Sequence, residues 1–185
     1  GLGHLTSFFG TDSLPTLHAA KHYYDETGFV AGSVPATEHS VMCAGSKESE
    51  IETFRRLLGL YPTGILSIVS DTWDLWKVCT EYMVELKEEI LARDGKIVIR
   101  PDSGNPVEIV LHVIELLASY YGYTVNDKGY KVLHPSVRVI QADGITLDTV
   151  NNILENMKAH GWSADNAVFG CGGYLLQQLN RDTLR

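Results

Sequence analysis

Along the chain, short apolar runs alternate with longer stretches of amphipathic spacing. Six runs share one design: TSFFGTD, FVAGSVPATEH, GILSIVSD, KIVIRPDSG, VRVIQADG and NAVFGCGG. Each is rich in Val, Ile or Phe and closes on Gly, Asp, Ser or His. Apolar runs of this length predict strands buried on both faces. The stretches between them carry helical spacing. LPTLHAAKHYYDE sets Leu14, Leu17, His18, Lys21 and His22 at that period, and SKESEIETFRRLLGLY puts Ile51, Phe54, Leu57 and Leu58 on one stripe. TWDLWKVCTEYMVELKEEILARDG, NPVEIVLHVIELLASYYG and TLDTVNNILENMKAHG repeat the pattern. They end at Gly95, Gly122 and Gly161, which suits the position just past a helix. Trp73 and Trp76 are expected to face the core. YGYTVNDKGYKVLHPS breaks the rhythm, and its Asn-Asp-Lys-Gly turn predicts a hairpin.

Strand and helix in alternation predict an α/β fold with a parallel sheet. The expectation is TIM-barrel-like (β/α) repeats, an incomplete barrel of about six strands, since closure takes eight. Residues 1–185 read as a single α/β domain. The chain opens almost at once on an apolar segment and stops within a helical pattern, so it reads as part of the barrel domain of a longer protein.

Composition narrows the partners. A net charge of -8 argues against a general nucleic-acid binder. A small polyanion stays possible, because a local cluster or a metal reverses the local field. Cys43, Cys79 and Cys171 form no metal or disulfide spacing, which fits a reducing compartment. No run approaches a membrane span and no signal peptide opens the chain, so the expected setting is the cytoplasm.

Polar residues gather where the predicted strands end, the face at which α/β folds bind ligands. Asp12 in GTDSLP suits either a helix cap or a ligand amide or cation. His39 follows Thr37 and Glu38, and its imidazole suits a base, a nucleophile towards phosphorus or a phosphate donor. In SIVSDTWD, Ser67 and Ser70 precede Asp71, and Asp71 suits either an N-cap completed by Asp74 or a magnesium ligand, directly or through water. KIVIRPDSGNP places Arg100 and Asp102 at one strand mouth. Asp143 in IQADG suits sugar hydroxyls or a plain Asp-Gly turn. Gly172 and Gly173 precede a predicted helix start, where backbone N–H groups can meet a phosphate, with Arg181 two turns on. Together these residues point to a phosphorylated sugar held with magnesium.

The ordered set GTDSLP, GSVPATEHS, SIVSDTWDLW, VIRPDSGNPVE, KGYKVL, RVIQADG and FGCGGYLLQQLNRD resembles the nicotinamide phosphoribosyltransferase family of type II phosphoribosyltransferases. The likeness covers residues 10–185. It implies transfer of phosphoribose from 5-phosphoribosyl 1-pyrophosphate to nicotinamide, giving nicotinamide mononucleotide and pyrophosphate, with Mg2+ and with ATP as an activating co-substrate. Nicotinate phosphoribosyltransferase shares that chemistry, and a non-catalytic nucleotide-binding module is the alternative from another class. By position, Asp12 matches the residue that takes the nicotinamide amide. His39 matches the residue phosphorylated from ATP. Arg100 matches an arginine at the pyridine and pyrophosphate, and Asp102 the ribose- and metal-side carboxylate with Asp71 beside it. Ser67 matches the nicotinamide tunnel, Ala142 and Asp143 the ribose contact, and Gly172, Gly173 and Arg181 the 5'-phosphate site. Ala142, Cys171 and Tyr174 depart from the family pattern. The family's pyridine-stacking aromatics lie upstream, and a second subunit of its homodimer supplies others, so the fragment alone is expected to turn over little.

Overall fold

A computed structural model describes Leu5, Gly10, Thr11 and residues 13–170. It divides into two compact units, Gly1–Pro35 and Ala36–Arg185. In the first, helix α1 (Leu14–Tyr24) begins with a proline in its first turn and stops at Asp25, whose φ of 51° is left-handed. A single parallel bridge joins Thr11 to Ala31.

The second unit is built on a four-stranded sheet. Its strands are β1 (Thr63–Val69), β2 (Asp94–Arg100), β5 (Val137–Gln141) and β6 (Ala167–Phe169), in the order β1-β2-β5-β6. Every pairing in it is parallel. Strands β3 (Tyr123–Val125) and β4 (Lys131–Leu133) form the expected antiparallel hairpin. The Asn126 side chain accepts from the amides of Lys128 and Tyr130, and Gly129 takes the positive φ of the turn. The parallel sheet with intervening helices is consistent with part of an α/β barrel.

Period-two alternation and the strand register sort the side chains. Leu66, Ile68, Ile97, Ile99, Val137 and Val139 are buried in the core shared with the helices. Helices α2 (His39–Met42), α3 (Glu50–Leu60), α4 (Leu75–Lys77), α5 (Met83–Glu85), α6 (Lys87–Ala92), α7 (Pro106–Tyr121) and α8 (Leu147–Ala159) carry the rest. The amphipathic spacing of α7 accounts for its burial. Val110, Leu111, Val113, Ile114, Leu117 and Tyr121 go inward, Asn105 caps the Val107 amide at 3.1 Å, and Gly122 ends the helix at φ 79°.

Four expectations change. FVAGSVPATEH is not a continuous strand: in the larger unit it contributes one parallel bridge, Ala36 to Ser67. Pro35 has no amide to donate to a ladder, which explains the interruption. TWDLWKVCTEYMVELKEEILARDG is not one helix, because a π-helical turn over Val78–Tyr82 separates α4 from α5, and Leu86 separates α5 from α6. Gly95 does not follow a helix; it sits inside β2 opposite Gly64, where a Cβ would lie 2.0 Å from the Gly64 carbonyl oxygen. Trp73 and Trp76 are 40% and 41% exposed instead of buried, and the Trp76 ring meets His112 at 4.6 Å. The strand expected in TSFFGTD falls mostly outside the described residues, as does the helix start after Gly173.

Candidate functional site

The site is assembled where β1 and β2 end. Thr37 donates its amide to the Ser67 carbonyl at 3.0 Å, and its hydroxyl accepts from the Val69 amide at 2.9 Å. Thr37 therefore fastens residues 36–38 beside β1 and is not a helix cap. This delivers Glu38 and His39 to the carboxyl end of that strand. The Ser70 amide donates to the Arg100 carbonyl at 2.9 Å, which ties the end of β1 to the end of β2.

Asp71 locks the two loops together. Its Oδ2 accepts from the Asp102 amide at 2.9 Å and from the Ser103 hydroxyl at 2.6 Å. The cap reading of Asp71 thus gives way: Asp74 is the N-cap of α4, accepting from the Trp76 and Lys77 amides. The Asp71 side chain is 5% exposed, and its Oδ1 has no hydrogen-bond partner among the described residues. A carboxylate oxygen taken out of water without a donor is costly unless a cation or a ligand donor meets it.

His39 closes the cluster. Its Nε2 lies 3.3 Å from Asp102 Oδ2 and 3.8 Å from Asp71 Oδ1, and its Nδ1 lies 3.1 Å from the Thr72 hydroxyl. A carboxylate accepts only, so Asp102 selects the proton on Nε2. Nδ1 of the neutral ring then accepts from Thr72. Asp102 and Thr72 together orient the ring and select its tautomer, as carboxylate partners do for histidines that carry chemistry.

Arg100 ends β2 one residue before the Pro101 turn. Its terminal nitrogens donate to Glu38 Oε1 and Oε2 at 3.4 and 3.1 Å, while its buried Nε has no partner among the described residues. Ser67 is buried on β1 in register with Val98, two residues before the Arg100 position, and its hydroxyl likewise finds no partner there. At the end of β5, the Gln141 side-chain Nε2 donates to the Asp143 carbonyl at 3.0 Å, and Gly144 takes φ 65°. Ala142 lies against Gly170, where an added Cβ would come within 2.8 Å of the Ala142 methyl.

The structure thus brings His39, Asp71 and Asp102 into contact, with Arg100 and Ser67 on the adjoining strands. It places Ala142 and Asp143 at the end of β5, the strand next to β2. Asp12, Gly172, Gly173 and Arg181 lie outside the described residues, as do Cys171 and Tyr174. Sequence reasoning missed Thr72, Ser103 and the pairing of Glu38. A signal for the first two was present: Ser70-Asp71-Thr72 and Pro101-Asp102-Ser103 are matched Asp-hydroxyl pairs at consecutive strand ends.

A model of the nicotinate phosphoribosyltransferase (NAPRTase) family matches residues 2–185. The chain belongs to the nicotinate phosphoribosyltransferase family. Within that family it is similar to a nicotinamide phosphoribosyltransferase of Acinetobacter baylyi, at 48% identity over 99% of this chain and 40% of that protein. A protein of the same name from Xanthomonas campestris pv. campestris is 44% identical over 99% of this chain and 39% of its own length. One from Mycoplasma pneumoniae is 39% identical over 98% of this chain and 41% of its own. The chain therefore spans about two fifths of the length of these curated relatives.

Family membership raises the question of a metal. Among the described residues no group of three or more His, Cys, Asp or Glu side chains is arranged to hold one. Two carboxylates, Asp71 with its unpartnered Oδ1 and Asp102, face the same imidazole. That donor set fits magnesium, which commonly takes one or two carboxylates and completes its shell with water and substrate oxygens. Among the described residues no helix is long and apolar enough to cross a membrane.

Proposed function

We propose that the protein of which this chain is a part transfers the phosphoribosyl group of 5-phosphoribosyl 1-pyrophosphate to nicotinamide, in NAD biosynthesis. The pyridine nitrogen forms a bond to C1 of the sugar, the C1–O bond to pyrophosphate breaks, and nicotinamide mononucleotide is the product. The observation that supports this reading most directly is the coupling of His39 to Asp102 and Asp71 across three separate loops. The names of relatives at 39–48% identity point the same way.

Each residue has a role in the proposal. Arg100 meets the anionic leaving group and the pyridine side, through a fork that suits phosphate oxygens. Asp102 and Asp71 accept from ribose hydroxyls and would hold magnesium, in part through water. When bound, the ion neutralises negative charge on the departing pyrophosphate. His39, held by Asp102 and Thr72, accepts the γ-phosphoryl group of ATP, which couples ATP hydrolysis to the transfer. Ser67 lines the path to the base. Asp143 with the Ala142 backbone contacts ribose, and Gly172, Gly173 and Arg181 receive the 5'-phosphate. Orientation of the two reactants supplies the remaining acceleration. The protein acts as a cytoplasmic homodimer, its second subunit completing the base pocket, with neither nucleic acid nor membrane as partner.

Nicotinate is the second reading, kept open by the description of the matching family. Asp12 separates the two, since a carboxylate accepts from an amide and repels another carboxylate. Product formation by the full-length protein with each base, before and after Asp12→Asn, tests the assignment. Preference for nicotinamide, with nicotinate use rising in the variant, supports it. Robust nicotinate turnover by the unaltered protein, or no product with either base, overturns it.

A further inference from the structure

Arg100 and Glu38 form the one ion pair among the described residues that joins two candidate site loops through an arginine, and the two partners differ sharply in burial. The Arg100 side chain is 11% exposed and the Glu38 side chain 69%. Arg100 is fixed by β2 and the Pro101 turn. Glu38 reaches it from the segment that Thr37 fastens to β1. The two terminal nitrogens of Arg100 face two carboxylate oxygens, the fork geometry with which guanidinium also takes phosphate oxygens. Glu38 is also the residue immediately before His39. We infer that Glu38 is an internal competitor for the anion site: its carboxylate occupies the Arg100 fork in the free protein and swings out when a phosphate-bearing ligand enters. This inference rests on the reading of Arg100 as an anion-binding side chain.

The physical logic is a competition of like ligands. A buried guanidinium without a counter-ion is costly, so a carboxylate on the fork stabilises the empty site. The same carboxylate lowers the affinity of any anion that needs those nitrogens. An exposed partner makes displacement cheap, since Glu38 returns to water and loses only a weak, solvent-screened pair. The device keeps Arg100 oriented between turnovers and weakens retention of the anionic product.

Calorimetric titration of the full-length protein with inorganic pyrophosphate, at constant ionic strength, tests this with three variants. Glu38→Gln removes the competitor's charge. Glu38→Asp keeps the charge but shortens the reach to Arg100. Arg100→Ala removes the fork. The expected result is tightening of about threefold in both Glu38 variants, and at least roughly tenfold weakening in Arg100→Ala. Tightening in Glu38→Gln alone would mean a general charge effect and overturn the competitor role. Unchanged binding in both Glu38 variants, with weakening in Arg100→Ala, would overturn the competitor while leaving Arg100 as the anion site. Unchanged binding in Arg100→Ala would overturn the reading on which the inference rests. Circular dichroism of each variant separates a lost fold from a lost site.

Discussion

Glu50 gives a prediction whose size follows from the structure. It opens α3, is 1% exposed, and its Oε1 has no hydrogen-bond partner among the described residues. Burial pushes its carboxyl up from 4.5 to about 7; Lys77 opposes, Asp74 adds to the rise, and Lys47 and the Tyr82 hydroxyl oppose weakly. The folded state then holds a proton that the unfolded state has lost between these two values. A carboxyl raised in this sense contributes stability that is fully present below pH 4.5 and is lost as pH rises to about 7. The whole shift corresponds to about 3 kcal/mol, of which about 2–3 kcal/mol falls between roughly pH 5 and pH 8. Glu50→Gln keeps the shape and removes the titration. Urea unfolding of the full-length protein, followed by tryptophan fluorescence across that range, reads the difference. The wild type is expected to lose that stability and the variant to lose much less, so that Glu50→Gln is the more stable protein at the alkaline end. Parallel curves for the two proteins would refute the assignment of the buried proton to Glu50.

Other outcomes follow from single contacts. Gly95→Ala is expected to destabilise by about 2–3 kcal/mol or to prevent folding, because its Cβ meets the Gly64 backbone, which cannot turn aside as a side chain would; thermal unfolding checks it. Asp71→Ala removes two of the bonds that join the two strand-end loops, and a net loss of about 2–3 kcal/mol in stability is expected, with a larger loss of kcat than Asp71→Asn shows. The chain of 185 residues by itself is expected to form almost no nicotinamide mononucleotide in a product assay, since it spans only about two fifths of the length of its curated relatives; turnover at the rate of the full-length protein would refute that.

The sheet was legible because buried parallel strands write themselves as unbroken apolar runs. GILSIVSD, KIVIRPDSG and VRVIQADG each became a strand with its polar residues just past the carboxyl end. The helix over residues 106–121 was legible for a similar reason, having a proline start, an apolar stripe and a glycine stop. What periodicity hides is local competition. The π-helical turn at Val78–Tyr82 leaves the apolar spacing almost unaltered. Gly95 looked like a helix end because a glycine after a helical pattern has two meanings, and the close approach to Gly64 is a tertiary fact. In the site, Asp71 and Asp102 stood out as residue types at strand ends. Their linkage did not, because the Asp71 carboxylate bonds a backbone amide 31 residues away. Thr72 was hidden because a hydroxyl acquires meaning only beside the ring nitrogen it meets.

On the proposed function, His39, held by Asp102, carries the energy coupling of phosphoribosyl transfer. The most direct measurement is nicotinamide mononucleotide formation by the full-length protein, with and without ATP, in His39→Ala and Asp102→Asn. The expected result is loss of ATP stimulation in His39→Ala and at least a roughly hundredfold fall in kcat for Asp102→Asn, with folding intact by circular dichroism. ATP-stimulated turnover near the wild-type rate in a folded His39→Ala protein would contradict that role for His39.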